Sequence, residues 1–177
     1  MRYLPPSLAL VVALSWSMAA TAEPPAPVDA PAPRPTVSAD DQIRTGLKLA
    51  HEGAWQAAIA AFNAALAIDP KSGEALFFRG QAEAAQKDYP AALRSLAAAL
   101  NQMPHEAAVY EAIGEVHLAR GDVDRAADAL AIAADLYLRH GGQAEARETI
   151  ARLREVKPDA AQLAELEARA AGGPALR

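Results

Sequence analysis

Cysteine is absent from this chain of 177 residues. Its absence excludes a disulfide framework, a thiolate nucleophile, a cysteine-ligated metal and a lipid attached to an N-terminal cysteine. The stability of the folded protein must therefore come from packing alone.

An excess of basic residues is also missing. Lysine and arginine number 17 against 22 aspartates and glutamates, a formal net charge of −5, and loss of Arg2 with an N-terminal leader would make it −6. Nucleic-acid binding requires a basic stripe that neutralises phosphates and releases counterions. No such stripe is visible, so we expect no nucleic-acid partner.

Residue patterns for catalysis or metal binding are lacking as well. No Gly-x-Ser-x-Gly elbow or glycine-rich phosphate loop occurs, and the carboxylates are scattered along the chain. The histidines are isolated, with no spacing that would place two metal ligands on one helix face: His51, His105, His117 and His140. We therefore expect no enzyme activity, no cofactor and no metal site.

The first 22 residues have the features of a secretory signal peptide. Arg2 provides a positive start, Leu8–Trp16 is an uncharged apolar run, and small residues precede a cleavage point after Ala22. After export and cleavage the protein would be periplasmic or secreted, with no segment inserted in the membrane. An uncleaved anchor is the alternative, because about 20 apolar residues can span a bilayer. Residues 23–38 are rich in proline and alanine, and we expect a disordered linker there.

A repeat of 34 residues organises the chain after this linker. Its columns hold the same kind of residue at that interval: Gly46, Gly80 and Gly114; Ala58, Ala92 and Ala126; Phe62, Leu96 and Leu130; Ala65, Ala99 and Ala133; Pro70 and Pro104. Glycine or alanine allows two helix backbones to approach, and the large apolar residues fill the space between helices. The prolines close the second helix of each pair, because the residue before proline avoids helical backbone angles. A fixed period of this length indicates a stack of helix pairs.

The pattern resembles the tetratricopeptide repeat, whose units carry apolar, Gly, Tyr, Ala, large apolar and Pro positions in this order. The second unit matches with Leu76, Gly80, Tyr89, Ala92, Leu96 and Pro104. The resemblance implies an all-α fold, a right-handed superhelical stack of about eight helices spanning residues 39–171. Its first three units would occupy 39–72, 73–106 and 107–140.

The third unit departs from the pattern, because Leu138 stands where the closing proline is expected. Its second helix should therefore run from Val123 to Arg139, and the pattern resumes in a shifted frame that ends at Pro158. In that frame the helix would be shared, closing the third pair and opening a fourth.

Two helices are expected to finish the domain. The first, at 143–156, is amphipathic, with Arg152 among its outward residues and an inner face formed by Ala146, Ile150 and Leu153. The second, at 159–171, is a capping helix begun by Asp159. Residues 172–177 should form a flexible tail.

The resemblance also implies a concave groove, lined by the first helix of each pair, in which family members bind peptides or partner proteins. By that geometry we place seven residues on the groove face: Ile43, Leu47, Phe77, Gln81, Glu111, Glu115 and Leu118. Phe77 and Phe78 point about 100° apart on one helix, so one should face outward, as a ligand anchor or against a neighbouring helix. Glu111 and Glu115 would either meet a basic residue of the partner or form a solvated face.

One polar pair, a histidine and a glutamate, is also spaced at the 34-residue interval. His117 and Glu83 occupy equivalent columns and could approach each other across the stacked helices. We expect His117 to be a hydrogen-bonded core residue and not a ligand or a catalytic base.

These features favour a non-enzymatic protein–protein interaction module, an adaptor, scaffold or assembly factor in the cell envelope. Some family members hold a C-terminal carboxylate with basic residues and asparagine, but the matching positions here carry Ile43, Leu47, Glu74 and Phe78. The expected ligand is therefore a hydrophobic or mildly basic segment. The alternatives are a regulatory subunit of an envelope enzyme complex, or an enzyme whose site has no sequence signature.

Overall fold

The computed structural model describes residues 37–172, and this range contains eight α helices. They are α1 (Ala39–His51), α2 (Trp55–Ile68), α3 (Gly73–Ala85), α4 (Tyr89–Gln102), α5 (Ala107–Ala119), α6 (Val123–Arg139), α7 (Gln143–Val156) and α8 (Leu163–Ala170). Consecutive helices pack against each other, which confirms the predicted all-α stack of helix pairs. None of these helices is long and apolar enough to cross a membrane. The predicted signal peptide at 1–22, the linker up to residue 36 and the tail from residue 173 lie outside the described residues.

The first helix begins at a capping box. The Ser38 hydroxyl accepts a hydrogen bond from the Asp41 N–H at 3.1 Å, and the Asp41 carboxylate accepts one from the Ser38 N–H at 3.2 Å. Two backbone donors at the helix start are satisfied in this way. Ser38, assigned above to the linker, is therefore the N-cap of α1.

Each glycine of the repeat packs against the large apolar residue of the second helix in its own pair. A Cβ added to the glycine would lie 2.5 Å from the Phe62 ring at Gly46, 2.8 Å from Leu96 Cγ at Gly80 and 3.1 Å from Leu130 Cγ at Gly114. The three large side chains are fully buried. The interlocking of small and large columns is thus confirmed, because a side chain at each of these glycines would press on the large residue opposite it.

Four equivalent turns each join the two helices of one pair. In each turn a backbone N–H bonds to the carbonyl five residues earlier, at 2.8 to 3.0 Å: Ala54 to Leu49, Asp88 to Glu83, Asp122 to His117 and Gly142 to Tyr137. The residue before each donor has a positive φ, namely Gly53, Lys87, Gly121 and Gly141. This is the Schellman arrangement of helix ends. The turns follow one another at 34, 34 and then 20 residues, so the backbone itself carries the shift of register.

The shift makes α6 a member of two pairs. Its bounds agree with the prediction, and it packs against α5 and also against α7. Ala127, Ala131 and Ala134 of α6 form a core cluster with Ile150 and Leu153 of α7. Because no proline interrupts it, the helix closes the third pair and continues far enough to open a fourth.

Proline follows the end of the other second helices. The backbone leaves helical angles at the preceding residue, where φ is −126° at Asp69, −131° at Met103 and −148° at Lys157. Pro70, Pro104 and Pro158 come next in the chain. The expected role of these prolines in ending helices is confirmed.

The last helix begins later than predicted. It starts at Leu163, with Gln162 at its N-cap and no side-chain capping bond, so the assignment of Asp159 as the cap is wrong. Turn hydrogen bonds from the Ala160 N–H to Lys157 and from the Leu163 N–H to Ala160, both 3.0 Å, hold the preceding residues in turns. These turns delay the start of the helix.

Candidate functional site

The first helices α1, α3 and α5 lie side by side and form the candidate groove. Three of the seven predicted groove residues are exposed there, and they share one column at 34-residue spacing: Leu47, Gln81 and Glu115. A partner could contact this column without any rearrangement of the core.

The other apolar groove residues are less accessible. Ile43 is only 5% exposed and packs with Ala58 and Phe62, so its placement on the groove face is wrong. It precedes Gly46 by three residues and therefore shares the helix face that Gly46 turns towards α2. Leu118 is half-buried.

The adjacent phenylalanines are both partly buried. The ring of Phe78 stacks on that of Phe62, with the centroids 6.0 Å apart, and the centroids of Phe77 and Phe78 are 5.1 Å apart. Phe77 packs against the cluster around Leu96. Of the two arrangements expected for these rings, the structure shows the one in which Phe77 lies against a neighbouring helix, while Phe78 joins the core cluster around Phe62.

Glu111 and Glu115 meet a basic residue of the same chain. Arg152 of α7 donates from Nη1 to Glu111 and from Nη2 to Glu115, both at 2.8 Å. The Tyr137 hydroxyl donates to the second oxygen of Glu111 at 3.1 Å. The prediction that Arg152 faces outward is wrong, since its planar fork finds two carboxylates one helical turn apart on α5. These contacts tie α7 to α5 at one end of the groove.

The surroundings of this bridge favour the protonated forms of Arg152 and Tyr137. Hydrogen bonding to Glu115 raises the pKa of Arg152. Burial, followed by the charge of Glu111, raises the pKa of Tyr137 to about 12. The bridge therefore sets one guanidinium against two carboxylates, and the groove keeps a net negative charge at this end.

An open cleft of about 330 Å³ lies between α3, α4 and α5. Its apolar floor contains Leu96, Ala112 and Val116, and its rim contains Gln81, Tyr89 and Glu115. Two exposed alanines, Ala85 and Ala119, complete its mouth. Gln81 and Glu115 were predicted groove residues, but the cleft itself was not predicted, because its only signal in the sequence is a small residue at position 112.

A second cavity, of about 550 Å³, lies between α6 and α8. Asp135 in its wall accepts a hydrogen bond from Arg169 at 2.6 Å and is paired with Arg139 at 2.8 Å. The Arg169–Asp135 pair joins α8 to α6 across this cavity, so the cavity is a less favourable peptide site than the cleft.

His117 and Glu83 do not pair. Glu83 accepts a hydrogen bond from the Ser95 hydroxyl at 2.5 Å, and Ser95 accepts one from Arg79. His117 is buried, but its Nδ1 has no hydrogen-bond partner and lies 3.7 Å from the Asp122 carboxylate. The expectation of a hydrogen-bonded histidine is thus wrong for Nδ1, and burial lowers the pKa of this residue.

The described residues offer no arrangement that would support metal binding or nucleophilic catalysis. Between residues 37 and 172 no three His, Cys, Asp or Glu side chains cluster closely enough to hold a metal ion. Ser95, the hydroxyl beside a carboxylate, is 2% exposed and bonded within the core. The exposed groove and its cleft are therefore the candidate site.

Comparison with known proteins bears on this groove. A family model described as "Tetratricopeptide repeat" matches residues 44–102 and 79–137, which together span more than half of the chain. The two matches cover the first and second units and then the second and third. No curated protein matches the chain.

Solved structures share the fold at low sequence identity. The structure of PcrH in complex with the chaperone binding region of PopD has a TM-score of 0.63 and 22% identity, covering 67% of this chain and 90% of that one. The Yersinia enterocolitica type III secretion translocator chaperone SycD has a TM-score of 0.63 and 18% identity, covering 70% and 88%. The TPR2B domain of yeast Sti1 in its pHsp70 complex has a TM-score of 0.61 and 17% identity, covering 77% and 98%.

Proposed function

Because the chain belongs to the tetratricopeptide repeat family, we propose that it is a non-enzymatic protein that binds a segment of a partner polypeptide. The binding surface is the groove of α1, α3 and α5. The observation that carries this proposal is the open cleft beside the exposed column of Leu47, Gln81 and Glu115. Such a surface suits a polypeptide, because it is extended and combines apolar floor with a polar rim.

Proteins of similar structure support a polypeptide as the ligand. PcrH was solved with the chaperone binding region of PopD, and the Sti1 domain with pHsp70. Each of these proteins holds part of another protein on a stack of the same kind. These complexes do not identify the partner of this chain. The chemistry of its ligand is therefore inferred from the residues of the groove.

We also propose that the protein acts in the cell envelope. The leader at residues 1–22 would be removed after Ala22, and the folded domain would then work in the cell envelope as an adaptor, scaffold or assembly factor. Cell fractionation followed by N-terminal sequencing tests this part. A mature chain that begins at Glu23 in the periplasmic fraction is expected, and retention of residues 1–22 in the membrane fraction would indicate the anchor instead.

Crosslinking in intact cells, with mass spectrometry of the captured proteins, tests the groove. The variant Leu47→Glu places a charge on the exposed groove column, whereas the matched control Ile68→Glu places the same charge on another exposed aliphatic residue, at the end of α2. We expect one specific partner to be lost from Leu47→Glu and kept by Ile68→Glu. Identical capture by wild type and both variants would show that the groove is not the interface.

A further inference from the structure

The cleft between α3, α4 and α5 exists because one column of the repeat changes size. Phe78 of the second unit stacks on Phe62 and fills the space between the first two pairs. The residue 34 positions later is Ala112, and the residue equivalent to Phe62 is Leu96. Where the earlier unit has a phenyl ring, the later unit has a methyl group and an open space of about 330 Å³.

From this difference, and on the premise of the proposed function, we infer that the cleft binds an aromatic side chain of the partner peptide, with a lysine or arginine beside it in the peptide. The partner ring would take the place that Phe78 takes one unit earlier. The volume falls at the lower end of the range for ligand pockets, about 300 to 1,000 Å³, which suits a single side chain better than a cofactor.

The shape of the cleft favours a ring over a small aliphatic group. Leu96, Ala112 and Val116 form an apolar floor that has few polar atoms to satisfy. A side chain too small to reach the floor would leave a void and forfeit dispersion contacts with the lining. An aromatic residue removes the largest apolar area from water, and such residues dominate the energetics of interfaces.

The charge at the rim favours a basic neighbour. Glu115 is both a rim residue of the cleft and a partner of Arg152, and its side chain is 53% exposed. Arg152 also holds Glu111, so one positive group serves two carboxylates. The remaining negative charge at the mouth attracts a cationic residue adjacent to the buried ring.

The test uses unlabelled capped pentapeptides and the protein as purified from its own cells. The peptides carry phenylalanine, leucine or alanine at the centre and either lysine or glutamate beside it, and saturation-transfer NMR measures their binding. We expect the phenylalanine peptide to bind roughly tenfold or more tightly than the alanine peptide, the value for burial of one large apolar side chain. Replacing lysine by glutamate should weaken binding, and added salt should reduce that difference.

The variant Ala112→Phe supplies the missing ring from within the chain. It should remove the preference for phenylalanine, while the control Ala97→Phe, at an exposed position of α4 outside the cleft, should bind as wild type does. Circular dichroism checks that the variants fold. If Ala112→Phe does not fold, Ala119→Phe replaces it, because Ala119 is exposed at the mouth and a ring there covers the opening without entering the core.

Two results would overturn the inference. One is equal binding of the leucine, alanine and phenylalanine peptides to wild type, and the other is an unchanged phenylalanine preference in a folded Ala112→Phe. The proposed function fails separately, when the cellular crosslinking captures no partner that depends on Leu47. A partner that depends on Leu47 but is captured equally by Ala112→Phe would leave groove binding intact and reject the aromatic anchor.

Discussion

Replacing Gly46 by alanine should lower the free energy of unfolding by about 2 kcal/mol, the difference between overpacking and helix propensity. The new Cβ would lie 2.5, 2.8 and 2.8 Å from three atoms of the Phe62 ring. That ring cannot easily withdraw, because it is fully buried and stacked on Phe78. Overpacking of this kind costs about 1 to 3 kcal/mol, and the contacts at Gly46 belong at the upper end. The better helix propensity of alanine stabilises the folded protein by about 1 kcal/mol and offsets part of this cost.

The equivalent glycines should respond in a graded order. At Gly80 the closest atoms, at 2.8 and 3.0 Å, belong to the flexible Leu96, so alanine should cost about 1 kcal/mol. At Gly114 the closest atom is at 3.1 Å, and small movements of Leu130 should bring the net change to about zero. The larger change Gly80→Leu should cost about 3 kcal/mol, because three further carbon atoms enter the same contact.

Thermal unfolding followed by circular dichroism measures the series. Each kcal/mol should lower the melting temperature by about 2 to 4 °C in a protein of this size, so the three alanine variants should separate clearly. The helix propensity gain is common to all three variants and cancels from their order. A Gly114→Ala variant less stable than Gly46→Ala would refute the argument from these distances, and so would equal melting temperatures.

Three further predictions concern the turn at Lys87, the buried His117 and the Arg152 bridge. Lys87 has a φ of 64° where the equivalent turns have glycine, so Lys87→Gly should raise the free energy of unfolding by about 0.5 kcal/mol, measured as a higher urea midpoint; a lower midpoint would contradict this. Burial lowers the pKa of His117 below 6.5, so the unfolded chain binds the proton more readily than the folded protein as the pH falls through that value. Wild type should therefore melt at a lower temperature at pH 5.5 than at pH 7.5, and His117→Gln should lose less. An equal fall in melting temperature for the two proteins would count against this prediction. Arg152→Ala should cost about 1 kcal/mol by leaving Glu111 and Glu115 unpaired, and a double-mutant cycle with Glu115→Gln that shows no coupling would exclude the bridge.

The sequence by itself determined the class of fold and most of its helices. Glycine, alanine and proline columns at 34-residue spacing predict helix pairs, because close backbone approach and helix termination depend on the residue type at one position. The bounds of α6 and α7 followed from the same reasoning, since the missing proline at Leu138 and the glycines at 141 and 142 act on the local backbone. These are short-range effects, and one sequence contains them in full.

Only the tertiary structure decided which residues face the groove. Ile43 had the same predicted position as Phe77 and Glu111, yet it is buried, because the packing of α2 on α1 covers it. Arg152 lies 37 residues from Glu115 in the chain, and their contact depends on how the shared helix α6 turns α7 back towards α5. The cleft at Ala112 depends on space that three helices leave unfilled. Burial, charge pairing and empty volume depend on how the helices pack together. The periodicity of a sequence predicts them only where the packing is the same from one repeat to the next.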